Sequence, residues 1–177
     1  MVLATLKLSV WPFLAPAFNR EQLSQLQTRL DANDICRQNT DFTCGPASAV
    51  TALRKLGFPA DEGEIAISTH CSSVIGTPPD MLAHTLQARY GNQGLSSQYR
   101  VFHSVEELKH PGYTLAVTKY RPWVDHYVVV IDVTNNQVVV GDPLLGLRKL
   151  PQPEFEEMWR FEGVTLTRAL PGTSHQP

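Results

Sequence analysis

Hydrophobic positions are spaced differently in the two halves of this chain. In the first half apolar residues recur three or four positions apart, a spacing typical of amphipathic helices. It predicts helices over 19–30, 46–56, 62–68 and 78–90. Leu23, Leu26 and Leu30 lie along one side of the first helix. One face of the last helix is lined by Met81, Leu82, Thr85 and Leu86.

Residues with strong positional preferences mark the ends of these helices. Asn19 can cap the first helix, and Gly57 is a natural stop for the second. Thr77 can cap the fourth helix, which Pro78 opens and Gly91 ends. The first half of the chain is therefore predicted to be helical.

The second half changes to runs of valine and alternating apolar residues, which predict strands. These strands are expected at 98–103, 113–119, 126–133, 137–141, 147–150 and 164–168. The segment 134–136 joins the two valine-rich strands as a tight turn. The first of these two strands is apolar on both faces, which indicates a central strand covered on both sides. Brief helices are expected after Ser104 and Pro153, the second containing Phe155, Met158 and Trp159.

The order of elements, with helices first and an antiparallel sheet second, predicts an α+β fold. A chain of 177 residues suits a single domain, which we place at residues 19–170. Hydrophobic residues make up 42% of the chain, and its formal charge of -2 provides no broad attraction to nucleic acid. We expect residues 171–177 to form a disordered tail.

Residues 1–18 form a largely apolar N-terminal arm whose role the sequence leaves open. The arm contains Lys7 and two prolines, and it is shorter than the roughly 20 residues that a membrane-spanning helix needs. The segment Ala15-Pro16-Ala17 has the form of a signal-peptidase site, but no charged region leads it. Packing on the domain, a signal peptide and the remnant of a membrane anchor all stay open. The cellular compartment is open for the same reason.

Cys36, Cys44 and Cys71 lack the close spacing that zinc and redox sites use. A disulfide between Cys36 and Cys71 would need an oxidising compartment and would leave Cys44 free. Two small buried thiols are the commoner arrangement. A zinc site built from Cys36, Cys71 and a histidine lacks the usual ligand pattern, so we expect no metal or other cofactor.

Cys44 stands where a loop turns into a helix, within the segment 38–50. Helix-terminal N–H groups and the positive end of the helix dipole favour a thiolate over a thiol. Pro46 suits the first turn because its missing N–H would have had no helical partner. Taken alone, Cys44 fits a buried thiol better than a nucleophile, and it is the combination with the other candidate site residues that favours a nucleophile.

A nucleophilic cysteine needs a base, and His126 is the best placed of the six histidines because it opens the most strand-like segment. If the following hairpin turns at Asn135, then Asp142 lies opposite Val128. His126 and Asp142 become diagonal neighbours on one face of the sheet. Asp142 can then accept a hydrogen bond from one ring nitrogen, while the other nitrogen faces Cys44.

Gln38, shortly before Cys44, adds a possible donor for the negative charge that develops on a substrate carbonyl during acyl transfer. The side-chain amide of Gln38 and the backbone N–H of Cys44 would together bind that oxyanion. The residues occur in the order that a cysteine-peptidase site requires.

Several segments of the chain between about residues 36 and 168 match the pattern of one known family. They are Gln38 with Cys44-Gly45-Pro46-Ala47-Ser48, Gly76-Thr77 before a helix, the run 125–130, Gly141-Asp142-Pro143 with Gly146, and Phe155 with Trp159. With these residues the chain resembles the papain-like bacterial cysteine peptidases typified by bacteriocin-processing, double-glycine leader peptidase domains, including stand-alone and membrane-attached relatives.

The resemblance implies a papain-like fold and a cysteine peptidase that cleaves a peptide or leader peptide through a thioester acyl-enzyme. It implies Cys44 as nucleophile, His126 as base, Asp142 as the residue that orients the base, and Gln38 in the oxyanion hole. The resemblance requires no cofactor and no nucleic acid. Membrane attachment through the N-terminal arm would be compatible with the membrane-attached relatives.

The chain departs from the family pattern directly before the nucleophile, where Thr43 replaces the aspartate of many exporter leader peptidases. We see no ATP-binding cassette and no complete transmembrane bundle, and we therefore do not expect a processing exporter. A peptide-binding or regulatory module without turnover is one alternative. A transpeptidase or another acyltransferase is a second.

Overall fold

Six antiparallel strands form the main sheet in the computed structural model, which describes residues 20–169. The strands are β3 (Leu95–Val101), β4 (Tyr113–Arg121), β5 (Val124–Val133), β6 (Gln137–Asp142), β7 (Gly146–Pro151) and β8 (Trp159–Arg168). They lie side by side in the order β3-β8-β4-β5-β6-β7. A separate small sheet pairs β1 (Arg29–Leu30) with β2 (Cys36–Arg37).

Most helices precede the sheet in the chain, as predicted. They are α1 (residues 20–24), α2 (Cys44–Lys55), α3 (Glu62–Ser68) and α4 (Pro79–Tyr90), while α5 (Gln152–Met158) connects β7 to β8. Short 3-10 turns cover Gly91–Gln93 and Val105–Leu108. The α+β fold is thereby confirmed.

Buried side chains form a cluster on each face of the sheet. Leu115 and Val129 of the central strands pack with α2 and α4 in the first cluster. Their neighbours Ala116 and Val128 point the other way and pack in a second cluster with Trp159. The alternation confirms that the valine-rich strand β5 is covered on both sides.

The predicted stop of α2 at Gly57 and the position of α3 agree with the structure, while α2 begins at Cys44, two residues before the predicted start. Gly57 follows α2 with φ of 81°, and the N–H of Phe58 donates to the carbonyl of Leu53 at 2.9 Å. This arrangement is a glycine-dependent helix stop. The Asp61 carboxylate caps α3 by accepting hydrogen bonds from the N–H groups of Gly63 and Glu64.

The predicted helix over 19–30 is wrong in its extent. Of the described residues only 20–24 are helical there, and Arg29 and Leu30 pair with β2 instead. The Asp31 carboxylate accepts hydrogen bonds from the N–H groups of Asn33 and Ile35 and so closes the turn between β1 and β2. Leucine spacing is a local signal, and this pairing with a later segment overrides it.

Three smaller predictions are also wrong. Helix α4 begins at Pro79 with Pro78 as its N-cap, so Thr77 does not cap it. A residue before proline is pushed out of the helical region, which moves the start by one position. Met81 on α4 is 39% exposed, outside the buried face. Trp159 is the first residue of β8 and lies after α5.

The N-terminal arm 1–18, the Asn19 cap and the tail 171–177 lie outside the described residues. Within residues 20–169, the helices are all too short or too polar to cross a bilayer.

Candidate active site

Cys44 is the first residue of α2, at the junction of loop and helix where the sequence places it. Thr43 is the N-cap, yet its side chain makes no capping hydrogen bond to the helix. The buried Thr43 hydroxyl instead accepts hydrogen bonds from the N–H and the hydroxyl of Thr40, at 3.2 and 3.1 Å. Thr43, the residue at which the chain departs from the family pattern, thus stabilises the turn of the loop that leads into the helix.

Close packing fixes the first turn of α2 against β5. A Cβ atom on Gly45 would come within 3.4 Å of both Thr77 and the Tyr127 ring. The Ser48 hydroxyl donates to the carbonyl of Tyr127 at 3.1 Å, and the Tyr127 hydroxyl donates to the carbonyl of Thr77 at 2.9 Å. Tyr127 therefore ties α2, β5 and the loop before α4 together.

His126 and Asp142 meet across the β5–β6 hairpin. His126 Nε2 lies 2.9 Å from Asp142 Oδ1, and the two residues are only 6% and 3% exposed. The observed pairs Val129 with Gly141 and Val130 with Val140 give the predicted register. The two side chains are therefore the expected diagonal neighbours.

Electrostatics in this buried pair favour a charged imidazolium and a charged carboxylate. Burial lowers the pKa of His126, but the hydrogen bond to Asp142 and the neighbouring Cys44 side chain outweigh it and raise the pKa to about 9. Burial raises the pKa of Asp142, but the hydrogen bond with His126 and the charge of that ring bring it below its ordinary value. Cys44 thus lies close enough to His126 to favour the protonated form of the imidazole.

Asp142 is also held by its own turn. Its Oδ1 accepts hydrogen bonds from the N–H groups of Leu144 and Leu145 at 2.8 and 3.3 Å. The Arg148 guanidinium lies 3.8 Å from Oδ2. The carboxylate is therefore fixed before any substrate arrives.

Gln38 follows β2 and belongs to the loop that precedes Cys44. Its backbone N–H donates to the carbonyl of Pro143 at 3.2 Å, which joins this loop to the turn of Asp142. The Gln38 Nε2 atom donates to the carbonyl of Thr40 at 2.6 Å, and within the described part of the chain Oε1 is buried without a partner. An amide nitrogen has two hydrogens, so one remains for a ligand.

A cleft of about 630 Å³ opens beside Cys44. It is lined by the loop 73–79 and by Trp123, Val124 and Asp125. Ile75 and Trp123 at the rim are 56% and 98% exposed. The nucleophile candidate therefore lines a cleft that also has exposed apolar side chains.

The remaining cysteines are buried thiols. Cys36 and Cys71 are both unpaired and fully buried. Burial is the main cause that raises the pKa of each thiol to about 12. Among residues 20–169, no group of three histidine, cysteine or acidic side chains is arranged to hold a metal ion.

Sequence reasoning missed Tyr127 and Glu62. Tyr127 stands beside His126 in the family-like run, and its position on the opposite face from His126 could have indicated contact with the helices. Glu62 is completely buried and bonds to the loop that bears Gln38. It stands early in a short helix, and no local pattern singles it out.

Comparison with known proteins agrees with the family resemblance seen in the sequence. A family model described as "Peptidase C39 family" matches residues 32–170. The "Probable functional amyloid protease FapD" of Pseudomonas aeruginosa is 29% identical over 145 residues, which cover 78% of this chain and 62% of that protein. The chain thus spans less than two thirds of that relative's length.

Two solved structures share the fold. One is a double glycine motif protease from an AMS/PCAT transporter in complex with the leader peptide, with a TM-score of 0.64, 16% identity, and coverage of 82% of this chain and 96% of that one. The other is the peptidase domain of Streptococcus ComA, with a TM-score of 0.62, 19% identity, and coverage of 75% and 96%. These likenesses confirm the papain-like peptidase fold. Since the family model matches most of the chain, the protein belongs to the Peptidase C39 family.

Proposed function

We propose that this chain, whose family indicates a peptidase, is a cysteine peptidase that cleaves peptides through a thioester acyl-enzyme. The observation that supports it most is the 2.9 Å contact of His126 Nε2 with Asp142. This contact commits one ring nitrogen to the carboxylate and leaves Nδ1 for Cys44, whose side chain raises the pKa of His126. The base, His126, would then interact with the nucleophile through one ring nitrogen and with the orienting carboxylate through the other.

In the acylation half of the proposed reaction, Nδ1 of His126 already holds the proton that Cys44 has given up, because the raised pKa of His126 favours the imidazolium. The thiolate attacks the carbonyl carbon of the scissile peptide bond and forms a tetrahedral intermediate. His126, charged by that proton and steadied by Asp142, returns it to the leaving amine as the C–N bond breaks. The thioester on Cys44 remains, and the amine product leaves.

Water completes the cycle in the second half. Neutral His126 takes a proton from a water molecule, whose oxygen attacks the thioester carbonyl. The C–S bond then breaks, the carboxylic acid product leaves, and the Cys44 thiolate is restored beside the protonated His126. Both halves pass through an oxyanion, which the second Nε2 hydrogen of Gln38 and the backbone N–H of Cys44 would bind. The N–H of Cys44 is available because the first residues of a helix have no intrahelical acceptor.

The substrate we propose is a peptide or leader peptide that lies in the cleft beside Cys44. Ile75 and Trp123 both line this cleft and are exposed, and their apolar side chains suit an extended chain with apolar side chains. One solved structure with this fold was obtained in complex with a leader peptide, and this likeness supports the choice of a peptide substrate. The proposed chemistry uses no metal or other cofactor.

Alkylation of the three thiols tests the assignment. The native protein is treated briefly with iodoacetamide at pH 7 and the label is mapped by mass spectrometry. We expect Cys44 to be labelled first, because burial keeps Cys36 and Cys71 protonated, each with a pKa of about 12. Equal labelling of all three cysteines would contradict the nucleophile assignment.

Peptide cleavage by two alanine variants completes the test. Cys44→Ala should lower cleavage of a peptide substrate at least about 10³-fold. The matched variant Cys71→Ala removes another buried thiol and should keep cleavage close to that of the wild type. Cleavage that survives in Cys44→Ala would reject the mechanism. Products that carry an added amine where water is expected would identify a transpeptidase.

A further inference from the structure

Glu62, the first residue of α3, is a carboxyl side chain with no exposed surface. A charged group in such a place is costly unless hydrogen bonds compensate it. Asn39 supplies two of them, from its backbone N–H to Oε1 at 2.9 Å and from its Nδ2 to Oε2 at 2.5 Å. The Cys36 thiol is a weaker third donor, 4.0 Å from Oε2. Glu62 is therefore built into the loop between β2 and α2.

Asn39, which donates two hydrogen bonds to Glu62, directly follows Gln38 in the chain. Gln38 is tied on one side through its N–H to the carbonyl of Pro143, and the chain immediately after it is tied through Asn39 to Glu62. Asn39 Nδ2 also donates to the carbonyl of Gln27, which adds a contact with the segment after α1. The backbone is thus fixed immediately before and after the Gln38 carbonyl.

Rigid placement matters more for Gln38 than for most residues. Its side chain turns back onto its own loop through the 2.6 Å bond to Thr40, so a small shift of the backbone redirects the whole amide. An oxyanion donor is effective only when it is aimed before the charge develops. The proposed chemistry does not otherwise use the Glu62 carboxylate.

We propose that Glu62 is a positioning residue for acyl transfer, which acts through Asn39 to aim the Gln38 amide at the oxyanion. This inference rests on the proposed function of Cys44. Glu62 itself touches neither the nucleophile nor the substrate. Its two carboxylate oxygens each accept one hydrogen bond from Asn39. A glutamine at this position would keep only one of these acceptors, because its NH2 group is itself a donor and would lie against a donor of Asn39.

The variant Glu62→Gln provides the test, with Glu64→Gln as its matched control. Glu64 lies on the same helix, but at the surface, where it pairs with Arg89. Two reagents that need no peptide recognition report on Cys44. Acylation by para-nitrophenyl acetate forms a thioester, releases nitrophenolate and passes through an oxyanion. Exchange with dipyridyl disulfide forms a mixed disulfide at the same sulfur without any oxyanion.

We expect Glu62→Gln to lower the acylation rate at least about 10-fold. The disulfide exchange rate should stay within about twofold of the wild type, since the pair of Cys44 and His126 is untouched. Glu64→Gln should leave both rates unchanged. With a peptide substrate the loss should fall on kcat, with KM nearly constant, because the oxyanion is absent from the bound substrate and develops only as the thiolate attacks.

A second variant keeps the proposal testable if Glu62→Gln does not fold. Asn39→Ala removes the side-chain donor and keeps the backbone bond, and it should lower acylation in the same selective way. In the double variant the two losses should not add, because both act through one contact. Unchanged acylation in both single variants, or a parallel loss of disulfide exchange, would overturn the proposal. A wild type that acylates Cys44 but cleaves no peptide would instead overturn the proposed function alone.

Discussion

Oδ1 of Asp142 accepts three hydrogen bonds, one from the imidazole of His126 and two from the N–H groups of Leu144 and Leu145. The same oxygen therefore orients the base and closes the β6–β7 turn. Shape and charge contribute differently to these two tasks. An amide oxygen can replace Oδ1 in the turn, but only a carboxylate charge stabilises the imidazolium.

Substitutions at Asp142 should separate the two tasks. Asp142→Asn keeps an acceptor for all three donors, so its free energy of unfolding at pH 10, where His126 is neutral, should stay near that of the wild type. Asp142→Ala leaves buried donors unpaired and should lose about 1–3 kcal/mol. The basic limb of the pH profile of kcat/KM, expected near 9 in the wild type, should move to lower pH in Asp142→Asn. Urea unfolding and the pH profile measure the two effects, and equal stability of both variants would refute the dual role.

The charge of His126 should respond to Cys44 as well as to Asp142. The side chain of Cys44 contributes to the raised pKa of His126, about 9 in the native protein. Removing the thiol by Cys44→Ala should therefore lower this pKa, while burial and Asp142 continue to act. An NMR titration of the imidazole measures the change, with Cys71→Ala as control. A pKa that stays at about 9 in Cys44→Ala would show that the two side chains do not interact.

Cys44, His126 and Asp142 could be singled out from the sequence because each is marked by a local rule. A proline in the first turn marks the helix start at Cys44, and the parity of a short hairpin pairs His126 with Asp142. Glu62 escaped the same reasoning because its partner Asn39 lies 23 residues earlier in a loop. No periodic pattern connects a loop residue with the start of a later helix.

The β6–β7 turn shows how one element controls the site. Gly146 closes it with φ of 84°, a left-handed conformation that side chains with a Cβ adopt at a cost. A Cβ there would also lie 2.9 Å from both a guanidinium nitrogen of Arg37 and a carboxylate oxygen of Asp31. The turn that holds Asp142 therefore depends on glycine.

Gly146→Ala should lower the free energy of unfolding by about 1–2 kcal/mol because of the left-handed backbone. Gly91→Ala is the matched control, since Gly91 has φ of -55° and its Cβ would meet only the flexible end of Gln87. That variant should be neutral or slightly stabilising. Urea unfolding of both variants decides the matter, and an equal effect of the two substitutions would contradict the account of the turn.

The small sheet at residues 29–37 marks the limit of prediction from element patterns. Leu23, Leu26 and Leu30 are spaced as in a helix, yet Leu30 is 39% exposed in β1. Pairing with β2 and the carboxylate of Asp31 provide hydrogen bonds that compete with those of a helix. The main sheet was easier to predict because β5 and β6 are adjacent in sequence and joined by a short turn.

The candidate site draws its residues from both faces of the sheet. Cys44 belongs to the cluster on the helical side. His126 and Asp142 share the strand parity of Val128 and Val140, which pack in the cluster on the opposite face. Loss of either cluster would therefore separate the nucleophile from its base.

The stability of the whole protein should fall as the solution becomes alkaline. The folded pKa of His126 is raised from 6.5 to about 9, so its stabilising effect is complete below pH 6.5 and is lost as pH rises through about 9. Cys36 and Cys71 ionise from about pH 9 when unfolded but only near pH 12 when folded. The unfolded state thus binds fewer protons above pH 9, and stability falls further.

Urea unfolding at several pH values between 6 and 10 measures this decline. Asp142→Asn should flatten the part below pH 9, since it removes the charge that holds the proton on His126. The double variant Cys36→Ala/Cys71→Ala should reduce the part above pH 9. A free energy of unfolding that is constant over this range would contradict both contributions.

Strand β8, the last of the described strands, lies inside the sheet between β3 and β4. In the described sheet, β3 joins the other strands only through β8. While the ribosome is still making the chain, β3 must wait without a partner until residues 159–168 have left the exit tunnel. Translation of β8 therefore sets the earliest moment at which the complete fold, and with it the cleft beside Cys44, can exist.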